Sequence, residues 1–488
     1  MVVRRALIGV AASLLSLASA VLVPIGLSSA AAAPGCAVAP PARVRFASPV
    51  YIDQNRAGGE PVSVVAHDGS IIVSTHAGTT HIYKNPMALP GVGDFAVGYS
   101  NQTLNWRSAD GGRTWSYVGT FGNPVGGPHT LTSSGFSDPD LTIDAGGRIY
   151  NTEINLVNDS VFSSDDDGQS FGRADILANT GDRPWLTGKD ADEVFLINSG
   201  PLKLWRSTDG GQSFSLVNPT AAAQGKLLND PLNPAGLIGP YSDNDHNSGV
   251  AISPDRGETW KTYPVNLGLS TQFFGTLGVD RAGWIYAVAA GGYDGAGDAV
   301  PNGQVTFSYF NRTTNRWAKP VVIPTPKGDA LWPWIIAGDD GRVAVVWYQS
   351  LAGAPERWYI YEAYTLNAHG TRMRCNGRSA TAPPAFRVTN ASGRIMDANA
   401  ICLEGTACAV DPRIEHSDRR LGDFFTVNFD LQGNVFIASG DTMLTNPLGG
   451  PKPVSNPIFI RQLSGPRLLV HPIKARPTRP LCPAPCLP

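Results

Sequence analysis

Apolar and polar positions along this chain alternate in short runs, each pair of runs separated by a turn rich in Asp, Asn or Gly. The clear copies are residues 62–75 (VSVVAHDGSIIVST), 141–151 (LTIDAGGRIYN), 186–198 (LTGKDADEVFLIN), 276–289 (TLGVDRAGWIYAVA), 335–348 (IIAGDDGRVAVVWY) and 426–438 (TVNFDLQGNVFIA). A weaker copy spans 226–241, where Asn229-Asp230-Pro231 turns into Leu237-Ile238-Gly239. β-Branched and aromatic residues flanking a turn at this spacing predict a β-hairpin, so the pattern predicts an all-β chain of repeated hairpins.

A second repeat follows the first four hairpins. Residues 108–115 read SADGGRTW, 164–171 SDDDGQSF, 207–214 STDGGQSF and 253–260 SPDRGETW. All fit S-x-D-x-G-x-[ST]-[WF], carried by Ser108, Asp110, Gly112 and Trp115; Ser164, Asp166, Gly168 and Phe171; Ser207, Asp209, Gly211 and Phe214; and Ser253, Asp255, Gly257 and Trp260. Ser and Asp side chains fold back on nearby backbone N–H groups and close a turn. The fixed Gly permits a positive φ, and the closing aromatic ring is free to bury against a neighbouring unit. A short apolar run enters each copy and another leaves it, so each copy predicts a hairpin turn with an aromatic peg. Four copies in register are an internal repeat.

This spacing is the Asp box, and the chain resembles the sialidase-like β-propeller superfamily, in which the box joins the third and fourth strands of a blade. The resemblance implies four-stranded blades in a ring, with the boxes on the face away from the ligand. It says little about activity, because boxes occur in enzymes and non-enzymes alike and folds host many functions. Seven blades are expected, or six if 226–241 is an insertion. The outer strand pair is degenerate in the fifth blade (305–317, with its turn at 311–315), and lies at 358–366 in the sixth and 458–463 in the last. The leading segment is expected to lend a strand, 44–46 or 50–52, to the last blade, which removes exposed sheet edges. The segment 372–418 is long for a loop, and such loops are often functional.

Residues 1–33 carry Arg4 and Arg5, an apolar run from Ala6 to Val23 and a small-residue stretch ending at Ala33, the layout of a secretion signal. The apolar run has membrane-spanning length, which leaves an uncleaved anchor as the alternative. Residues 34–470 then form one propeller and 471–488 a Pro-rich tail. Charged residues make up 16% of the chain against about 25% in ordinary domains. The 54 Gly and 39 Pro fit a structure of many turns. A net charge of −2 without a basic run gives no footprint for nucleic acid. In an exported chain the six cysteines suggest disulfides: Cys402 with Cys408 around a small loop, Cys482 with Cys486 in the tail, and Cys36 with Cys375 as the remaining pair, although spacing does not fix connectivity. No C-x₂-C pairs suggest a structural metal, and no cofactor is required. No second stretch reaches membrane length, and a monomer is expected.

In a propeller the segment leading into each innermost strand lies at the mouth of the central channel. Here those segments are 55–60, 137–140, 182–185, 272–275, 331–334 and 418–423, which concentrate carboxylates, arginines and tryptophans. Arg183, Arg419 and Arg420 offer bidentate donors for a carboxylate, or pair with Asp182, Asp418 or Asp423. Trp185, Trp332 and Trp334 offer flat faces to sugar rings, or pack at the hub. Asp138 is a candidate general acid or a turn residue before Pro139, and Asp140 and Asp423 join the candidate ligand set. In the stretch 243–246 (DNDH), Asp243 and Asp245 offer oxygen ligands to a cation such as Ca²⁺.

Sialidases use a Tyr nucleophile, which the resemblance pairs with a Glu, an Asp acid/base and three arginines gripping the substrate carboxylate. Tyr348 and Glu362 are the candidates for the first two. The family's Arg-Ile-Pro motif ahead of the first box is absent, and Arg56 is a poor substitute. Two functions follow: a secreted glycosidase acting on sialylated or other acidic glycans, or a non-catalytic extracellular propeller binding a glycan, glycoprotein, peptide or envelope component.

Overall fold

The computed structural model describes residues 37–76, 103–120, 123–124, 137–154, 159–177, 182–198, 202–242, 248–267, 276–293, 299–403, 405, 408, 418–446, 450–452 and 454–476. The candidate signal, the tail from 477, the cation candidates Asp243 and Asp245, and Cys36, Cys482 and Cys486 lie outside the described residues.

Seven antiparallel blades make a propeller. Blade 1 is built from Gly59–Val65, Ile71–His76, Thr103–Ser108 and Ser116–Thr120, inside to outside. Blade 2 uses Ser137–Ile143, Ile149–Ile154, Asp159–Ser164 and Arg173–Leu177, and blade 3 Trp185–Gly188, Val194–Ile197, Leu204–Ser207 and Ser215–Asn218. The weak seventh repeat is blade 4: Leu228–Asn229 pairs Leu237–Ser242, followed by Ser248–Ser253 and Lys261–Val265. Blade 5 runs from Thr276–Val279 and Ile285–Tyr293 to Ala299–Asn311, edged by Arg316–Trp317 and Val321–Ile323. Blade 6 comprises Ala330–Ala337, Val343–Leu351, Ala354–Thr365 and Arg387–Asn390.

The outer strand of blade 6 therefore comes from the long 372–418 segment, after a side hairpin of Thr371–Cys375 with Arg378–Ala382. Blade 7 holds Thr426–Phe429, Val435–Asp441 and Asn456–Ser464, and both leading segments complete it: Arg45–Phe46 and Val50–Tyr51 pair with its third strand. The ring thus closes by joining its first residues to its last blade. Cys402 and Cys408 form a disulfide, and Cys375 is also disulfide-bonded.

Regular local chemistry builds the face opposite the channel mouth. In the first S-x-D-x-G turn the Ser108 hydroxyl donates to Asp110 (2.8 Å) and accepts the Gly112 N–H (2.8 Å). Asp110 accepts the N–H groups of Arg113 and Thr114, both at 2.9 Å, and the Thr114 hydroxyl at 2.6 Å. The pattern repeats around Asp166, Asp209 and Asp255. The turn glycine also seats one blade on the preceding one. A Cβ on Gly112, at φ +80°, would lie 2.1 Å from the Phe459 ring of blade 7, and one on Gly257 would lie 2.0 Å from Leu204 of blade 3. Trp115 meets Phe459 edge-on at 5.1 Å.

The hairpin turns between first and second strands hide a further repeat, D-x-x-G-x-I-Y. Asp144 accepts the Tyr150 hydroxyl at 2.9 Å and the Asp192 N–H of the next blade at 2.7 Å. Asp280 does the same with Tyr286 (2.6 Å) and Gly341 (2.9 Å). A carboxylate that ties its own strand and the next blade's turn explains why the spacing recurs.

Candidate functional site

At or just before the start of four innermost strands stands a residue followed by proline: Glu60-Pro61, Asp138-Pro139, Arg183-Pro184 and Trp332-Pro333. Each first residue is left-handed, with φ of 48°, 57°, 55° and 49° respectively. Non-glycine residues seldom adopt this conformation, and a following proline restricts them further. In blades 1, 2 and 6 the register slips at this point, between Gly59 and Val62, Ser137 and Asp140, and Leu331 and Trp334. A bulge leaves a backbone group unpaired and re-aims the side chain, and proline has no N–H to lose there.

Three of these side chains, those of Glu60, Asp138 and Arg183, meet at the channel mouth. Arg183 donates to Glu60 at 2.7 Å and lies 3.6 Å from Asp138. His76 Nε2 stands 3.2 Å from Glu60, whose other oxygen accepts the Asp423 N–H at 3.0 Å. Arg419 grips both oxygens of Asp423, with the second bond at 2.7 Å. Asp182 remains exposed beside Asp138; desolvation by its surroundings and the Asp138 carboxylate push its pKa up to about 7. The Arg183 guanidinium also lies 3.9 Å from the Phe424 ring centroid and 4.6 Å from that of Trp185. Trp185, Trp334 and Phe424 pack together with centroids 5.4–5.9 Å apart, Trp334 stacked on Phe424 and Trp185 tilted against both. Trp334 also lines a cavity of about 110 Å³, together with Asp140, Lys226, Thr276, Thr426 and Asn428 among others.

A second buried charge cluster adjoins the first through residues 418–420. Arg420 binds both Asp418 oxygens and donates to the carbonyls of Thr442 (3.2 Å) and Lys452 (2.8 Å). Asp397 is fully buried next to it, and burial together with Asp418 holds its carboxyl well above the usual range. Asp441 is likewise raised by burial, against the pull of Arg394.

The expected site residues thus separate. Asp138, Arg183, Trp185, Trp334, Arg419 and Asp423 come together at the mouth, and Arg420 sits in the adjoining cluster. Asp140 faces the channel, where it accepts the Leu186 N–H at 2.7 Å and the Lys226 ammonium at 2.6 Å. Trp332 packs edge-on against Tyr348 at 5.8 Å, between blades 6 and 7. The Tyr348 hydroxyl is hydrogen-bonded to Ser439 at 2.6 Å, and burial holds it well above the ordinary phenol range. Glu362 is also buried, on the third strand of blade 6, and its carboxyl makes no protein hydrogen bond. Tyr348 and Glu362 are therefore not hydrogen-bonded to each other.

Glu60 and His76 complete the mouth and were not among the expected site residues. The signal for Glu60 was present: it occupies the same x-Pro position as Asp138 and Arg183. Glu60, His76 and Asp138 also hold ligand atoms within 4.8 Å of one another, a spacing a metal could bridge. Arg183 reaches two of the three, so a guanidinium already supplies positive charge there.

No family model matches this chain, and no curated protein does. Among solved structures it is similar to YCF48 bound to D1 peptide, at 10% identity, 89% of this chain, 99% of that one and a TM-score of 0.45. It is also similar to the GH74 enzyme of Niastella koreensis (14% identity, 84% and 62% of the two chains, TM-score 0.44). The NanB sialidase of Streptococcus pneumoniae matches at 12% identity over 87% and 70%, with a TM-score of 0.38. None of the three is a close match.

Proposed function

We propose that this protein is an exported binding propeller, whose channel mouth holds a neutral or cationic ligand such as a glycan or a peptide segment. One observation carries the reading. The three arginines available to grip a substrate carboxylate are each engaged by an internal one: Arg183 by Glu60 and Asp138, Arg419 by Asp423, Arg420 by Asp418. Releasing a buried guanidinium from its partner leaves an uncompensated charge, which costs about 3–5 kcal/mol. A sialic acid carboxylate would have to displace these partners, whereas exposed Asp182 is well placed to accept hydroxyl or ammonium donors. No helix among the described residues is long and apolar enough to cross a membrane.

A glycosidase is the second reading, and it rests on the Asp138/Asp182 pair. A carboxyl raised toward neutrality beside a second carboxyl is a recurrent acid/base device, and Asp182 at about 7 would be the proton donor.

An array carrying neutral, cationic and sialylated glycans together with peptides tests the proposal. Binding to neutral or cationic probes that is lost in Asp182→Asn supports it. Selective binding of sialylated probes, lost in Arg183→Ala, would overturn it.

A further inference from the structure

Glu362 lies in the third strand of blade 6, directly opposite Val346 on one side and Thr389 on the other. Side chains alternate along a strand, so Glu362 shares a face with Val346, Tyr348, Ile360 and Tyr364. Those four belong to one apolar cluster with Val427, Val435, Ile437 and Ile460 of blade 7 and with Val44 of the leading segment. The carboxyl is thus held in the seam where the ring closes. It is fully buried, neither oxygen has a protein hydrogen-bond partner, and the Thr389 hydroxyl opposite makes no hydrogen bond either.

An ionised carboxylate without a partner is not tolerated in such surroundings; the group neutralises instead. We propose that Glu362 is a protonation latch on the seam between blades 6 and 7: neutral, it lets the seam pack, and its ionisation loosens the closure of the ring. Burial alone pushes its carboxyl well above the usual range. The groups that face it do not offset this. Tyr364 and Tyr348 are neutral phenols, the Tyr348 hydroxyl being occupied by Ser439. Arg342 acts on Tyr364 rather than on Glu362, and Arg387, opposite Tyr364, donates to the Pro41 carbonyl at 3.1 Å. Asp397 and Asp441 lie toward the Tyr348 hydroxyl and offer Glu362 no positive charge. The blade 7 side is aliphatic.

The sign follows from linkage. Below about pH 4 the unfolded chain also carries a neutral Glu, so the contribution to stability is full. As pH rises the unfolded chain ionises first, and stability is lost until the folded carboxyl itself titrates.

The test compares the pH dependence of Tm in wild type and Glu362→Gln, an uncharged near-isostere. The expected result is similar Tm values near pH 4 and a variant several degrees more stable than wild type at pH 8. Parallel profiles would overturn the proposal. Infrared difference spectra, wild type minus variant, should show a protonated carboxyl band at pH 7 that the variant lacks; a carboxylate band in its place would also overturn it. Hydrogen exchange of wild type alone supplies a readout should the variant not fold. After correction for intrinsic rates, protection of residues 456–464 should fall between pH 5 and pH 8, and unchanged protection counts against the latch.

Discussion

The two faces of the propeller treat the same residue types in opposite ways. On the face of the S-x-D-x-G turns, carboxylates serve their own neighbours: Asp110, Asp166, Asp209 and Asp255 each collect backbone N–H and hydroxyl donors from within four residues. Burial works to raise these carboxyls, but the hydrogen bonds outweigh it and hold them below the usual range. At the mouth, carboxylates serve partners far away in sequence. Glu60 binds Arg183 and the Asp423 backbone, 123 and 363 residues distant. There and in the adjoining Arg420 cluster burial and like charges win, and Asp182 and Asp397 are raised. One face is made for assembly, and the other concentrates costly groups of the kind found at functional sites.

The largest expected effect lies at the mouth. Arg183→Ala removes the guanidinium nearest Glu60 and Asp138, leaving Arg419 as the charge that acts on both, and should destabilise the fold by about 3–5 kcal/mol. Urea unfolding measures it, and a loss under 1 kcal/mol would show that the Arg183 ion pairs do not hold the mouth together. Next comes Gly112→Ala, which sets a methyl against the Phe459 ring at an unfavourable φ. Overpacking of this kind costs about 1–3 kcal/mol, to be read from the same unfolding curves. A smaller effect is expected for Asp166→Ala on the opposite face. Loss of a turn-capping carboxylate typically costs about 1 kcal/mol, and the three sister turns remain intact.

Acid and base should separate the faces in sign. The turn carboxylates are depressed, so their contribution is present above about pH 4, the ordinary carboxylate value, and is lost as pH falls through it. Asp182 is raised to about 7, so its contribution is full below about pH 4 and is lost as pH rises toward 7. Relative to wild type, Asp182→Asn should therefore gain stability between pH 4 and pH 7, whereas Asp166→Ala should lose its disadvantage at low pH. Thermal unfolding across pH checks both, and slopes of the same sign would remove the contrast between the faces.

How much was legible follows from the reach of the interactions. The S-x-D-x-G turns close within five residues, so their pattern could be read directly, and it gave the blade order and the outer hairpins. The weak repeat at 226–241 was readable only in part. Its innermost strand is two residues long, and its packing depends on Ala223 and Leu227 filling the space beside Gly239. The outer strand of blade 6 was hidden inside a long segment, because a side hairpin intervenes between it and its partner. At the mouth, Arg183, Arg419 and Asp423 were identifiable as residue types, but their partners were not. Nothing local in the sequence shows that Glu60, rather than Asp182, holds Arg183, or that His76 arrives beside it from the end of another strand.

The engagement of the mouth arginines is the claim on which the functional reading depends. It is tested most directly by the rate of aglycone release from an aryl sialoside, using purified, folded wild-type chain beside Arg183→Ala. The account predicts no release above the buffer rate from either protein. Steady turnover by the wild type that disappears in the variant would contradict it, and would show that Arg183 leaves Glu60 to take a substrate carboxylate.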